Sequence, residues 1–401
     1  MKSIILYGAF DRYNYGDVLF PIIFNKFIEN YHSELRNEYK IEYVSLEAVN
    51  LEGVDGVKTK SINEFINTAE DGSAVIVVGG ETLTAKLNNL YLDSLNSFIQ
   101  VKCEKKINNY LPKYIEKKAI KKYGFDFPFP YTLNPTVFKN KINIGYNSIG
   151  AGGYSYLSTK EREIIDKNIK CSKYFSVRDK NSFSLINKIS DTSLSPDSAT
   201  LMSEFYDYSI LDGFIGEKIR EFSKNKYIIL QLGYWKSKDY LNEIINQIKL
   251  IKSKHNINIL LLPIGFATNH DDLIILRKIK DILKDEVHLF EELKIFEIMY
   301  LIAKSQFFFG TSLHGNITAM SFGVPYAGLN KEIIKLDQYL KSWGIEPFDR
   351  NITFNEIAKF YNDNNGFDRN KLLKNANKLK EMVKENNTKL LNSVLRCEKN
   401  G

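Results

Sequence analysis

Phe307-Phe308-Phe309-Gly310-Thr311-Ser312-Leu313-His314-Gly315-Asn316-Ile317-Thr318-Ala319-Met320-Ser321-Phe322-Gly323-Val324-Pro325-Tyr326 reads in one pass as strand, turn, helix and stop. Phe307 to Phe309 make a buried strand, Gly310 to His314 turn the chain, and Gly315 to Phe322 form a small-residue helix. Gly323 and Pro325 end that helix before the next strand. The first turn of a helix carries unpaired N–H groups and the positive end of the dipole. The hydroxyls of Thr311 and Ser312, the imidazole of His314 and the backbone at Gly315 are therefore candidates to hold a phosphate or carboxylate.

The same strand–loop–helix unit recurs on both sides of this stretch. Ser3–Tyr7, Ala74–Val78, Ile142–Ser148 and Tyr174–Val177 are apolar strands without alternation, as expected for a parallel sheet covered on both faces. A helix over Val18–Asn30 follows the first of them. Further on, Tyr227–Leu232, Asn258–Leu262 and Val287–Phe290 alternate with helices over Asp239–Ile251, Asp271–Leu283 and Lys294–Ala303. Two successive β/α sets predict an α/β protein of two Rossmann-like, doubly wound domains facing across a cleft, residues 1–205 and 206–401, with the break near Met202 to Lys226. A ligand is then expected at the carboxyl ends of the strands, between the domains.

Composition narrows the class. The 401 residues suffice for two domains, and 44% hydrophobic with 26% charged residues describes a globular chain. A net charge of +7 suits acidic substrates or an anionic membrane surface and does not argue for nucleic acid. The three cysteines, Cys103, Cys171 and Cys397, are too few and too dispersed for a disulfide framework or a thiolate metal site. With no signal peptide and no membrane-length apolar run, a cytoplasmic location is expected, with a peripheral position at the inner membrane face as a variant of it.

Each chemical candidate sits where a strand ends. In Asn14-Tyr15-Gly16-Asp17, Asp17 either caps the next helix or orients an acceptor hydroxyl, and Gly16 allows a tight turn. Gly79-Gly80-Glu81-Thr82 follows the most apolar strand, and its paired glycines let backbone approach a ligand or another loop. Arg178 in Ser176-Val177-Arg178-Asp179 can grip a carboxylate or phosphate bidentately, or pair with an acid. Asp197 in Pro196-Asp197-Ser198-Ala199 either caps the next turn or faces the cleft, with the structural role favoured. Lys335, after the strand ending near Leu329, is within reach of the same anion or is a surface lysine. His32, His255, His270 and His288 lack ligand spacing, so no metal is expected. No Walker loop, Gly-x-Ser-x-Gly elbow or dinucleotide fingerprint is present.

Two segments stand apart. Residues 86–141 are long for one crossover and contain a lysine-rich amphipathic stretch, Lys102 to Lys122. It is either a solvated helix or a contact for an anionic lipid-linked acceptor or the membrane surface. The tail from Asn370 reads as helix with no assigned chemistry.

Together these pieces resemble the polysaccharide pyruvyl transferase family. The matching motifs are Asn14-x-Gly16-Asp17, Val77-Val78-Gly79-Gly80, Ser176-x-Arg178-Asp179, Pro196-Asp197-x-Ala199 and Leu313-His314-Gly315 running on through Ala319, Gly323 and Pro325, with Lys335 and Trp343-Gly344 after them. The resemblance implies a GT-B-like pair of domains and transfer of a pyruvyl group from phosphoenolpyruvate to two hydroxyls of a surface-glycan sugar, with no cofactor. It implies that Arg178 binds the donor's anionic groups, that His314 binds phosphate or acts as the acid, and that Lys335 holds the leaving group; Asp17 is the candidate for acceptor contact. Two departures stand out. Ser312 occupies the place where many members carry arginine, and Glu81 the place of a frequent third glycine. Lys236 or Lys331 is a candidate to replace the lost cation. A GT-B glycosyltransferase using a nucleotide sugar, or a non-catalytic glycan-binding member, is the alternative.

Overall fold

The computed structural model describes residues 1–95, 97–266 and 272–395. Its first sheet holds seven strands: β1 (Lys2–Tyr7), β2 (Tyr39–Ser45), β3 (Lys60–Ser61), β4 (Ala74–Val78), β5 (Asn143–Ile149), β6 (Tyr174–Val177) and β7 (Ser193–Leu194). The second holds six: β8 (Tyr227–Gln231), β9 (Asn258–Leu261), β10 (His288–Leu289), β11 (Phe307–Gly310), β12 (Tyr326–Leu329) and β13 (Asn351–Ile352). The orders are β3-β2-β1-β4-β5-β6-β7 and β10-β9-β8-β11-β12-β13. Every pairing within them is parallel. In both sheets the order in which strands are added thus reverses at a switch point, β1/β4 in one and β8/β11 in the other, and loops from both halves line one cleft.

The predicted strands that lacked alternation are fully buried, as with Ala74–Val78 and Phe307–Gly310. The first helix runs Tyr15–Tyr31, three residues earlier than its apolar pattern begins, because Asn14 caps it by accepting from the Gly16 N–H at 3.3 Å. Asp17 lies inside the first turn and is not the cap. The helix expected from Asp271 is Leu273–Leu283, and Asp271, like His270, lies outside the described residues.

The lysine-rich insertion forms three helices, Leu87–Asp93, Phe98–Tyr110 and Pro112–Tyr123. The terminal helix Arg369–Leu395, within the stretch assigned to the second half, returns to the first sheet. Asn147 on β5 donates to Asn387 Oδ1 at 2.9 Å and accepts from Asn386 Nδ2 at 2.8 Å, and Asn143 donates to the Val394 carbonyl at 2.7 Å. Gly145 permits this packing, since a Cβ there would lie 2.5 Å from Leu390 Cδ1.

The halves are also joined at the cleft. Asn14 bridges to Gly265, and the Tyr15 N–H donates to the Ile264 carbonyl at 3.3 Å. Tyr15 Oη lies 2.9 Å from Thr318 Oγ1. One core cluster accordingly runs from β1 and Tyr15–Tyr31 into β8, β9 and β11 without a break.

Candidate active site

A cleft of about 450 Å³ opens at these switch points. Asn14, Asp17, Gly80, Glu81 and Arg178 line it from the first half; Gln231, Lys236, Asp272, Ser312, His314 and Lys335 line it from the second.

His314 enters the cleft as the second residue of the helix Leu313–Ser321. Ser312 caps that helix, accepting from the Gly315 N–H at 3.3 Å, while its own N–H donates to Gln231 Oε1 at 2.8 Å. The imidazole packs edge-on against Phe20, ring centroids 5.2 Å apart, and lies over Gly16. A Cβ on Gly16 would stand 1.9 Å from His314 Nδ1, so only glycine leaves room for the ring. Gly79, with φ +63°, does the same for Phe20, whose ring would lie 2.1 Å from a Cβ at that position.

The other face of the imidazole meets a buried charge cluster. Asp197 Oδ2 is 3.7 Å from His314 Nε2 and 3.6 Å from Arg178 Nη1. Asp197 also accepts from the Ala199 N–H at 3.0 Å and donates its own N–H to Tyr339 Oη at 3.3 Å. Burial works against its charge, but the imidazole and then Arg178 hold the carboxyl below the usual range. Arg178 Nη2 is bound by Glu81 Oε2 at 2.7 Å. The second Glu81 oxygen accepts from the Gly152 N–H, also at 2.7 Å. Burial disfavours the guanidinium charge, and Glu81 and Asp197 more than offset that. The Arg178 carbonyl accepts from Trp343 Nε1 at 2.7 Å, tying this loop to the helix Ile334–Trp343 that carries Lys335.

Two lysines complete the cleft. Lys335 keeps solvent contact yet is enclosed by the walls, and that enclosure followed by the Arg178 charge lowers its basicity. Lys236 donates to the Thr311 carbonyl at 3.2 Å. Desolvation, with the Lys335 charge adding, pushes it down to about 8. Asp272 faces Lys236 and accepts from Gln231 Nε2 at 2.8 Å and from the N–H groups of Ile264 at 3.0 Å and Gly265 at 3.1 Å. Burial still pushes its carboxyl up to about 6. Lys331 instead pairs with Glu356 at 3.2 Å, away from the cleft residues.

The structure thus brings His314, Asp17, Arg178, Lys335, Ser312, Gly80 and Asn14 to one cavity. Thr311, Gly315, Gly79 and Gly16 shape it from behind. Thr311 is wholly buried and its hydroxyl accepts from the Gly233 N–H at 2.8 Å, so it is a scaffold group rather than a surface of the cleft. Gly315 packs beneath Phe308, whose Cζ would stand 2.4 Å from a Cβ there. Asp197, read from sequence as structural, is both a cap and the bridge between Arg178 and His314. Gln231 and Asp272 had a faint signal: each is a polar residue at the end of an apolar strand or the start of a helix facing the switch point. Among the described residues no three His, Cys, Asp or Glu side chains converge as a metal cage requires.

Two Rossmann-ordered domains closing over such a cleft define the GT-B fold. Solved structures agree. The UDP-GlcNAc 2-epimerase from Neisseria meningitidis bound to UDP-GlcNAc superposes with a TM-score of 0.54 at 13% identity, over 98% of this chain and 100% of that one. The S. aureus MnaA–UDP co-structure gives 0.54 at 13% identity over 98% and 95%, and the OtsA apo structure 0.52 at 8% over 99% and 100%. These likenesses concern the fold alone. Residues 14–330 match the model of the polysaccharide pyruvyl transferase family, and the chain belongs to that family. It is a transferase of the kind that moves pyruvyl groups onto polysaccharide. Among curated proteins none matches it by sequence.

Proposed function

We propose that the cleft takes phosphoenolpyruvate as donor and places its pyruvyl group on two hydroxyls of a surface-glycan sugar or its lipid-linked precursor, as a cyclic ketal. The observation that carries this reading is the convergence of Arg178, His314, Lys236 and Lys335 on one cavity, with Asp197 joining the first two. Phosphoenolpyruvate bears a carboxylate and a phosphate on adjacent positions. Several cations lining one cavity, Arg178 from the first half and His314, Lys236 and Lys335 from the second, suit a ligand with two anionic groups.

In this reading Arg178 takes the donor carboxylate and exchanges part of its contact with Glu81. Lys236 and Lys335 take the phosphate beside the N-terminus of Leu313–Ser321, where helix N–H groups also favour an anion. His314, oriented by Asp197, delivers a proton to the methylene carbon. The C2 centre that becomes electron-poor is attacked by the first acceptor hydroxyl, with Asp17 as the nearby carboxylate to draw off its proton. Expulsion of phosphate and attack by the second hydroxyl close the ketal. One hydroxyl proton ends on the new methyl group and the other on inorganic phosphate, so atoms and charge balance. Such a donor is a metabolite of the cytoplasm, which suits the exposed free thiols Cys103 and Cys171.

A second reading, glycosyl transfer from a nucleotide sugar, draws on Trp235. It is exposed at the cleft rim and packs edge-on to Tyr234 with centroids 5.0 Å apart, a face on which a base or sugar can stack. Incubation with phosphoenolpyruvate and a panel of glycan acceptors separates the two. Inorganic phosphate release with a pyruvate-sized mass gain on the acceptor supports the first. Product formed only from nucleotide sugars supports the second and removes the first.

A further inference from the structure

The insertion after β4 ends in a helical hairpin that the proposed reaction does not use. Helices Phe98–Tyr110 and Pro112–Tyr123 are joined at Leu111 and held side by side by Lys118 and Glu104 at 2.9 Å. Val101, Ile115 and Ala119 bury the inner face. Asn88 pins the turn by donating to the Pro112 carbonyl and to Asn108 Oδ1, both at 3.1 Å. At the turn itself Tyr110 is 77% exposed, Leu111 62% and Tyr114 50%. Scattered apolar exposure is ordinary, but three large apolar groups at the crest of one pinned turn form a patch.

The two helices that carry the crest are rich in positive charge. Between residues 98 and 123 there are eight lysines and two glutamates, an excess of six out of the chain's net +7. Lys102, Lys105, Lys106, Lys113, Lys117 and Lys121 are exposed and, among the described residues, have no ion-pair partner. An apolar crest of tyrosine and leucine on lysine-rich helices matches the layered chemistry of an anionic bilayer surface, where aromatic rings settle at the headgroup level and lysines face the charged lipids. A nucleic-acid backbone would use the lysines and leave Leu111 without a partner.

A second cavity of about 340 Å³ adjoins this turn. It is lined by Pro112 and Lys113 and also by Lys86 and Asn89, which it shares with the cleft. We infer that the hairpin turn is a docking tip for an anionic membrane surface, with Tyr110, Leu111 and Tyr114 entering the headgroup layer and the lysines holding anionic lipid. The docking stands on this surface alone. Only the use of the groove by a membrane-anchored acceptor rests on the proposed reaction.

The test is co-sedimentation of the full chain with vesicles of phosphatidylcholine alone and of phosphatidylcholine mixed with phosphatidylglycerol. The chain is expected to sediment with the mixed vesicles, to stay in the supernatant when the vesicles are neutral, and to bind less as salt is raised. Tyr110→Ser, Leu111→Ser and Tyr114→Ser together should lower partition at least ~10-fold. Lys102→Glu, Lys105→Glu and Lys106→Glu together should erase the preference for anionic vesicles. Phosphoenolpyruvate-dependent phosphate release with a soluble acceptor, and the circular dichroism spectrum, should be unchanged in both variants. Equal or absent binding to the two vesicle types overturns the inference, as does full binding by the serine variant. A serine variant that instead converts a dimer to monomer in light scattering would assign the crest to a second copy of the chain and equally overturn it. Because docking is read without turnover, its failure and a failure of the donor assignment are told apart.

Discussion

Arg178 and His314 share one buried carboxylate oxygen, Asp197 Oδ2, at 3.6 and 3.7 Å. Arg178 leaves β6 of the first sheet and His314 follows β11 of the second. Asp197 therefore couples the domains electrostatically at the point where the donor is proposed to bind, and the angle of the imidazole depends on a residue more than a hundred positions earlier in the chain.

Asp197→Asn keeps the shape of the side chain and its bond to the Ala199 N–H while removing the charge. Turnover should fall by about 10²-fold or more, the scale of a mispositioned proton donor. Stability should drop by ~1–3 kcal/mol in urea titration, less than for a wholly unpaired buried ion because Glu81 still pairs with Arg178 at 2.7 Å. Normal turnover would remove the coupling from the mechanism.

Gly16→Ala separates local helix preference from site geometry. Alanine inside a helix ordinarily stabilises by ~1 kcal/mol relative to glycine. Here the added methyl would meet the imidazole at 1.9 Å, and the ring must leave its place beside Asp197. Turnover is expected to collapse with no gain in melting temperature. An active and stabilised variant would show that His314 works from another position.

How much of this was readable from the residues depended on the kind of signal. Runs such as Ala74–Val78 and Phe307–Gly310 announce themselves because a strand covered on both faces tolerates only apolar side chains. β2 gives no such run because it lies near the sheet edge and alternates; Lys40 and Glu42 pair there at 2.7 Å. The return of Arg369–Leu395 to β5 is set by Asn147, Asn386 and Asn387, polar residues whose pairing has no period along the chain. In the site, motif positions placed His314 and Arg178 correctly at strand ends. Nothing in the sequence distinguishes Thr311, whose hydroxyl is turned inward to Gly233, from Ser312, which reaches the cleft. For Asp197 the sequence offers a cap or a cleft-facing group as alternatives, and a turn-forming Pro-Asp-Ser gives no sign that one carboxylate does both.

The pH dependence should carry the mark of Lys236. Its folded value of about 8 lies below the ordinary 10.5, so between those values the unfolded chain holds one proton more. Stability therefore rises with pH across that window, and the cost of the enclosed ammonium is fully present below it. Donor binding runs the other way, because the anion favours the charged amine and is held less tightly as pH rises through about 8. Melting temperatures and donor KM measured over this window should show both slopes, and Lys236→Met should flatten both. A wild-type KM that does not move would exclude Lys236 from donor contact.

Lys236 is the candidate to supply the cation that Ser312 lacks. The Lys236 ammonium rests on the Thr311 carbonyl at 3.2 Å, one residue before Ser312, and so brings positive charge to the same helix start from a different loop. Lys236→Met should raise donor KM by at least ~10-fold, as expected for the loss of a charge-assisted contact worth more than ~1.4 kcal/mol. Ser312→Arg alone should cost ~1 kcal/mol of stability through loss of the cap. Combined with Lys236→Met it should recover part of the lost affinity, because a guanidinium at 312 starts from the same side of the cleft. Steady-state kinetics of the four proteins decides the matter: if the double variant is no better than Lys236→Met, the two positions do not serve one phosphate.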